Sequence, residues 1–179
     1  MKIIDKIKTK IRGSIDVSHL IKDGCRIGKN FHAQQGTIID PGHCWLIDIG
    51  DNVTLAPNVH ILAHDASTKK FLGYTKIARV FIGNNVFIGA GTIILPGVHI
   101  GDNVVIGAGS IVTHDISSNS MAIGSPAKKI CTLEEYVAKE RKCMESAPVY
   151  SEEWIIGRIT NGQKEEMRKQ LENRKGYII

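Results

Sequence analysis

Aliphatic residues recur every six positions through the middle of the chain, and small or polar residues stand at fixed places between them. The repeat comprises Ile82, Ile88, Ile94, Ile100, Ile106 and Val112. An amphipathic helix repeats every 3.6 residues and a strand every two, so a period of six fits neither as one long segment. It predicts strands of three or four residues separated by sharp turns. Three units close a coil of about 18 residues, which stacks Ile82 on Ile100 and Ile88 on Ile106.

The same spacing continues toward the N-terminus with one change of phase. One earlier series comprises Ile49, Leu55 and Ile61, and the other comprises Ile15, Ile21, Ile27, Ala33 and Ile39. The two series differ by four residues, which predicts an insertion within residues 40–48. The turns between strands contain Gly-Lys-Asn at 28–30 and Gly-Asp-Asn at 50–52 and 101–103. These residue types tolerate positive φ, as sharp turns require.

Outside the repeat, the sequence predicts two helical ends and one loop. Residues 1–12 place isoleucines on one helical face and lysines on the other, which predicts an N-terminal cap helix. Residues 13–130 form the domain of stacked coils, and residues 131–179 are predicted to form a helical tail. The repeat breaks at residues 62–81, which predicts a loop extruded from the coils. Such a loop costs ordering entropy and usually carries function.

Composition narrows the class of protein. Hydrophobic residues make up 42% of the 179 positions and charged residues 23%, as in a soluble, core-forming chain. No apolar run approaches the ~20 residues of a membrane span, and the N-terminus lacks a signal-peptide pattern, so we expect a cytoplasmic protein. The net charge of +5 sits in lysine-rich ends without interleaved aromatics, which argues against nucleic acid as a partner. The four cysteines form no CxxC pair, so reduced thiols are expected.

Three stretches of this sequence resemble the hexapeptide-repeat acyltransferases. They are IGDNVTLAPNVHILAHD (49–65), IGNNVFIGAGTIILPGVHIGDNVVIGAGSIVTHDI (82–116) and AIGSPAKKI (122–130). The resemblance is closest to the branch of maltose and galactoside O-acetyltransferases and of streptogramin acetyltransferases. It implies an all-β, left-handed parallel β-helix, a homotrimer and acetyl-CoA as co-substrate.

His64 opens the extruded loop and is the candidate general base. Acyl transfer to a hydroxyl needs a group that takes the hydroxyl proton near neutral pH, and imidazole is suited to this. A histidine here could equally cap a turn, but the position matches the catalytic histidine of the family, so the resemblance implies that His64 is catalytic. Asp65 is adjacent, and neighbouring side chains of an extended chain diverge. We therefore expect Asp65 to stabilise the loop first and to orient His64 second.

The resemblance also implies the residues that bind acetyl-CoA. Backbone amides at Ala90 and Ala108, in the two IGAG turns, match those that bind the pantetheine arm, and one of them would stabilise the oxyanion. Phe87 stands where the sugar acetyltransferases often carry tryptophan. Thr113 matches a contact with coenzyme A, and Lys128 matches a basic residue that reaches the nucleotide phosphates. A solvated surface lysine is an equally good interpretation of Lys128.

For the acceptor, the resemblance implies that Gln34 and Asp40 contact sugar hydroxyls. Trp45, beside the four-residue insertion, is expected to pack at a subunit interface or to stack on a sugar ring. A metal site is the alternative chemistry, because the gamma-class carbonic anhydrases share this fold and bind metal through three histidines. His60, His64 and His99 could converge, but their spacing differs from that family, so no metal is predicted.

The sequence therefore predicts an acetyl-CoA-dependent O-acetyltransferase that moves an acetyl group directly to a hydroxyl of a sugar-like acceptor. None of the cysteines lies in a motif for a covalent acyl carrier, which favours direct transfer. N-acetylation of an amino sugar or an antibiotic is one alternative, and a non-catalytic β-helix scaffold is another. The identity of the acceptor stays open at this point.

Overall fold

A computed structural model of the protein describes residues 16–179. The predicted cap helix at residues 1–12 lies outside the described residues. The chain divides into two compact units, with the division between Leu133 and Glu134. The first unit contains the stacked coils and the candidate site.

Short strands of the first unit wind into successive coils of three strands each. A short helix α1 (Ser18–Lys22) precedes them. The first two coils contain β1 (Arg26–Ile27), β2 (His32–Ala33), β3 (Ile38–Ile39), β4 (Ile47–Ile49), β5 (Thr54–Leu55) and β6 (His60–Ile61). The extruded loop follows, with β7 (His64–Asp65), α2 (Lys69–Leu72) and β8 (Lys76–Ile77). The next coils contain β9 (Val80–Ile82), β10 (Val86–Ile88), β11 (Ile93–Ile94), β12 (His99–Ile100), β13 (Val104–Ile106) and β14 (Ile111–Val112).

Corresponding strands of successive coils pair in parallel and form three faces. The first face has the order β1-β4-β9-β12, and the third has the order β3-β6-β11-β14. The second face comprises β2, β5, β10 and β13 and continues into β15 (Ser120–Gly124). Strand β16 (Ala127–Thr132) returns antiparallel to β15 and ends this face. The first unit is thus a parallel β-helix of triangular cross-section.

The register of the faces confirms the predicted stacking. Ile82 pairs with Ile100 on the first face, and Ile88 pairs with Ile106 on the second. All four side chains are fully buried. Because side chains of a strand alternate between its two sides, the exposed Phe87 points outward between the buried Val86 and Ile88. The inward side chains of each strand, such as Val86 and Ile88 of β10, therefore fill the thin core.

Register also locates the two interruptions of the repeat. Ile27 pairs with Ile49, which is 22 residues along the chain and thus four more than the 18 that separate Ile82 from Ile100. The predicted insertion is therefore present, and it contains a short 3-10 helix at Cys44–Leu46. Ile49 pairs with Ile82, 33 residues on, because the extruded loop lies between them.

The turns before the second face depend on asparagine for their positive φ. Asn30, Asn52, Asn85, Asn103 and Asn119 have φ between 54° and 57°. The side-chain amide of each of the first four donates to the asparagine of the next coil, at 2.9–3.1 Å, so the turns form a ladder. Gly89, in the first IGAG turn, is required for a different reason, the close approach of two coils. A Cβ on Gly89 would lie 2.4 Å from the amide nitrogen of Ala108, so the two coils can approach only where a side chain is absent.

The first series of the repeat departs from the pattern at its start. Ile21 was expected to point inward, but it is 50% exposed. Leu20 and Cys25 fill that end of the core and are each 3% exposed. The reason is that residues 18–22 form helix α1, where each residue turns by about 100°, so the six-residue phase is not transmitted through it.

The second unit contains two helices and one pair of strands. Helix α3 (Leu133–Met144) enters it, and helix α4 (Asn161–Gln170) begins with a capping box between Thr160 and Gln163. Strand β17 (Val149–Tyr150) pairs in parallel with β18 (Tyr177–Ile178), a pairing that the sequence pattern did not indicate. Among residues 16–179, no helix combines the length and the hydropathy that a membrane crossing needs.

Candidate active site

The extruded loop leaves the coils as a β-hairpin with His64 at its base. His64 pairs with Ile77 in the antiparallel stem of β7 and β8. The next residue, Asp65, accepts a hydrogen bond from the amide of Ser67 at 2.8 Å and pairs with Lys76 at 2.5 Å. These hydrogen bonds, with that from Lys76 the largest, lower the pKa of Asp65 to about 2. The geometry of Asp65 is that of a residue that stabilises the loop.

The imidazole of His64 is held by Asp40, which follows β3 on the neighbouring coil. The Nδ1 atom of His64 lies 2.5 Å from Oδ2 of Asp40, and the same oxygen accepts the amide of Ala63 at 2.9 Å. The other oxygen accepts the amides of Gly42 at 3.0 Å and His43 at 3.2 Å. One carboxylate thus fixes both the ring and the start of the inserted turn.

The environment of Asp40 keeps it ionised. Burial by itself raises the pKa of Asp40, but the hydrogen bonds from His64, Ala63 and Gly42 outweigh burial and hold the pKa below its usual value. A carboxylate only accepts hydrogen bonds, so Nδ1 of His64 must carry the ring proton. The lone pair is then on Nε2, and the side chain of His64 is 38% exposed, so the ring is accessible to a substrate.

The burial of Asp40 corrects its predicted role. The side chain was expected to contact an acceptor hydroxyl, but it is 0% exposed and all its partners are in the protein. The stacking register contains the signal for the observed role. Ile39 pairs with Ile61, so Asp40 lies beside Leu62, two residues before His64.

His43, in the inserted turn, is a neighbour of the site that sequence reasoning did not single out. Its ring centroid lies 4.9 Å from that of His64 and 5.4 Å from that of the exposed Trp45. Its Nδ1 atom is buried, lies 3.9 Å from Oδ1 of Asp40, and has no hydrogen-bond partner among the described residues. A row of three rings therefore extends from His64 along the insertion.

The residues predicted to bind acetyl-CoA lie at another corner of the coils. Ala90 and Ala108 occupy equivalent turns after the second face, where the amide of Gly109 donates to the carbonyl of Ala90 at 2.8 Å. Phe87 is 45% exposed on the outside of the same face. His64 follows the third face, and that face separates the two corners within one chain. A single chain therefore does not bring His64 together with the two alanine turns.

The other predicted contacts divide between these regions. Thr113 and Asp65 line the same shallow cavity of about 260 Å³. Lys128 lines a separate hollow of about 320 Å³ with His114. The backbone N–H of Gln34 donates to the carbonyl of Leu55 at 3.0 Å, which places Gln34 at the corner of the alanine turns and away from Asp40.

Two other features bear on the chemistry. His60 lies on the third face, whereas His99 lies on the first and packs against the ring of Phe81 at 4.6 Å, so His60, His64 and His99 do not converge. Burial raises the pKa of the Cys25 thiol to about 12, which removes its nucleophilic form at neutral pH.

Comparison with known proteins bears on the chemistry of this site. The family model "Bacterial transferase hexapeptide (six repeats)" matches residues 79–114. Protein CapG of Staphylococcus aureus is 51% identical over 107 residues, which are 58% of this chain and 60% of that protein. Galactoside O-acetyltransferase of Escherichia coli K12 is 46% identical over 111 residues, 58% of this chain and 52% of that protein. This chain spans about half to three fifths of the length of such curated relatives.

A solved structure shares the fold of the coils. It is a galactoside acetyltransferase in complex with coenzyme A, with 35% identity and a TM-score of 0.51. The match covers 63% of this chain and 62% of the other. The likeness therefore falls on a limited part of each chain.

Proposed function

We propose that this chain is a hexapeptide-repeat transferase and, within that family, an acetyl-CoA-dependent O-acetyltransferase with His64 as the general base; the matches to the family model and to the galactoside acetyltransferases support this. The acceptor we propose is a hydroxyl of a sugar-like molecule, since one relative by sequence and one similar solved structure are both named galactoside acetyltransferases. Membership of the family also implies left-handed winding of the coils. A cytoplasmic location stays a prediction.

The bond between His64 and Asp40 is the observation that carries this proposal. It fixes the tautomer, since Nδ1 donates to a buried carboxylate and Nε2 is left with the lone pair. A histidine that only caps a turn would not need an ionised, fully buried partner on the neighbouring coil. The pair has the arrangement of a general base and its orienting group.

The reaction then follows as one direct transfer. Nε2 of His64 takes the proton of the acceptor hydroxyl while the oxygen attacks the thioester carbonyl of acetyl-CoA. Asp40 stabilises the imidazolium that forms, and a backbone amide at the Ala90 turn stabilises the oxyanion. The tetrahedral intermediate collapses, the C–S bond breaks, and the imidazolium returns its proton to the leaving thiolate. This sequence of steps needs no metal ion and no covalent enzyme intermediate.

A complete site on this scheme requires two chains. His64 and the alanine turns occupy different corners of one chain, so the groove of one subunit would receive His64 from the next. The loop tip supports association, since Phe71, Leu72 and Tyr74 are 81%, 67% and 80% exposed. Such apolar exposure marks interaction surfaces. We therefore propose the homotrimer of the family as the working form.

Replacement of His64 by alanine tests the base. The rate of thiol release from acetyl-CoA, measured with a panel of sugars and nucleotide sugars, is expected to fall by about 10²-fold or more. His60→Ala is the matched control, because His60 lies on the same coil outside the cluster with Asp40 and should retain the rate. An unchanged rate in His64→Ala would show that His64 is not the general base. If the unaltered protein releases no thiol with any acceptor, a non-catalytic scaffold would be favoured instead.

A further inference from the structure

Three side chains of types that bind metal ions converge where the inserted turn lies beside the start of the extruded loop. Metal-binding atoms of Asp40, His43 and His64 all lie within 4.8 Å of one another. The scheme of acetyl transfer uses Asp40 and His64 but gives His43 no purpose. The buried Nδ1 atom of His43 also lacks a hydrogen-bond partner among the described residues. Buried polar atoms in folded proteins nearly always have a partner, so an unsatisfied one can indicate a binding site for an ion.

We propose that Asp40, His43 and His64 form an inhibitory binding site for a divalent transition metal ion such as zinc. Two imidazole nitrogens and one carboxylate oxygen are a donor set that zinc and its neighbours prefer. The side chains of His43 and His64 are 29% and 38% exposed, so solvent reaches the edge of the cluster and water would supply the fourth ligand. Magnesium and other cations that prefer oxygen ligands are disfavoured, because two of the three ligands are imidazole nitrogens.

The distances show how the ion fits. Ligand atoms about 2.0 Å from a tetrahedral zinc ion lie about 3.3 Å apart. His64 Nδ1 and Asp40 Oδ2 are closer than this, at 2.5 Å, and His43 Nδ1 and Asp40 Oδ1 are farther apart, at 3.9 Å. The two distances involve different oxygens of Asp40, so an ion between His64 and Oδ2 also requires His43 to move toward Oδ2. The ligand atoms of the three residues already lie within 4.8 Å of one another. The ion takes the place of the proton between His64 and Asp40 and gives His43 Nδ1 a partner.

Occupancy of Nδ1 changes what His64 can do. A neutral imidazole that binds metal through Nδ1 carries its hydrogen on Nε2, so Nε2 no longer has a lone pair for a hydroxyl proton. Metal binding therefore blocks the base without touching the groove for acetyl-CoA. This inhibition rests on the proposed function, whereas metal binding itself does not.

Cobalt(II) provides the test of binding, because its visible spectrum reports the ligands. The full chain, titrated with cobalt chloride in thiol-free buffer, is expected to bind one ion per chain with visible d–d bands and no thiolate charge-transfer band. His43→Gln should weaken binding by about 100-fold or more, since even outer-shell partners of metal sites cost 10–100-fold. His60→Gln is the matched control and should bind as the unaltered protein does.

Three results would overturn the site. They are an unchanged spectrum on titration, a thiolate band that assigns the ion to a cysteine, and equal affinity of His43→Gln and the unaltered protein. His43→Asn is a second variant, and circular dichroism of both variants checks that they fold. The site is supported if a folded His43 variant, either His43→Gln or His43→Asn, loses the cobalt spectrum while His60→Gln keeps it.

Zinc inhibition tests the consequence. Transfer is followed by the loss of thioester absorbance, because zinc binds the released thiol. Within each variant, the ratio of rates with and without zinc chloride is measured. The ratio should fall at least tenfold for the unaltered protein and for His60→Gln, stay near one for His43→Gln, and recover with a chelator. Cobalt binding at this cluster with no zinc inhibition would leave the metal site standing and remove His64 as the base.

Discussion

At the scale of single residues, Asp40 connects His64 to the inserted turn. Its Oδ2 holds the His64 ring and the Ala63 amide, while its Oδ1 holds the amides of Gly42 and His43. Every oxygen lone pair of this buried carboxylate thus has a structural use. On the proposed function, Asp40 is a positioning residue, since it contacts His64 and would act on the acceptor only through that ring.

Asp40→Asn is expected to lower kcat by about 10²- to 10⁴-fold and to leave KM for acetyl-CoA unchanged. An asparagine amide that faces His64 can donate to Nδ1, which moves the ring hydrogen to Nε2 and removes the lone pair that accepts the proton. Steady-state kinetics with the acceptor found in the screen measures both constants. A residue with a purely structural role would instead raise KM or lower the fraction of folded protein.

Asp65→Asn is the matched control for this experiment. It also removes a carboxylate beside His64, but Asp65 contacts Ser67 and Lys76 within the loop and makes no hydrogen bond to His64 that the structure describes. The kcat should therefore fall much less than in Asp40→Asn. Equal losses in the two variants would contradict the assignment of Asp40 as the orienting group.

At the scale of elements, the asparagine ladder gives the coils their common turn. Asn85 has a φ of 55°, accepts from Asn52 at 3.0 Å and donates to Asn103 at 3.1 Å. The left-handed conformation costs most residues about 1–2 kcal/mol, which asparagine lowers and glycine avoids. The ladder and the backbone conformation are therefore separable contributions to stability.

Asn85→Ala is expected to lower the free energy of unfolding by about 1 kcal/mol more than Asn85→Gly. Both variants lose the two ladder bonds, but only alanine pays the cost of positive φ. Denaturant titration at one fixed protein concentration measures the difference. If the two variants are equally stable, the positive φ is not what selects asparagine here.

The elements differ in how far the sequence predicts them. The coils are predictable because each inward aliphatic is repeated by the next coil, so even the four-residue insertion is visible as a change of phase. The register places Asp40 beside Leu62 and so near His64, but the direction of its carboxylate was not predicted, because that depends on the amides of Gly42 and His43 in the insertion, which has no repeat. Strands β17 and β18 were missed for a related reason, since a strand of two residues carries no period.

At the scale of the whole molecule, the separation of two corners determines what one chain can do. His64 follows the third face, and Ala90 and Ala108 follow the second. In a closed ring of identical subunits, each contact brings one corner of a subunit to a different corner of its neighbour, so every interface can hold one complete site. On the proposed function, each active site then lies at an interface, and a subunit with a damaged groove would still supply an intact His64 to its neighbour.

Mixed oligomers test this division of the site. His64→Ala lacks the base but keeps the alanine turns, and Ala108→Trp keeps the base but fills the groove, because Ala108 is exposed on the outer surface of its coil. Each variant alone should be inactive. When the two are co-expressed and assemble at random, about a quarter of the interfaces combine an intact base with an intact groove, so about a quarter of the unaltered activity should return. Native mass spectrometry confirms that mixed trimers form. Mixed trimers without recovered activity would place the base and the groove in the same chain, because then each variant subunit carries one damaged site and no neighbour can repair it.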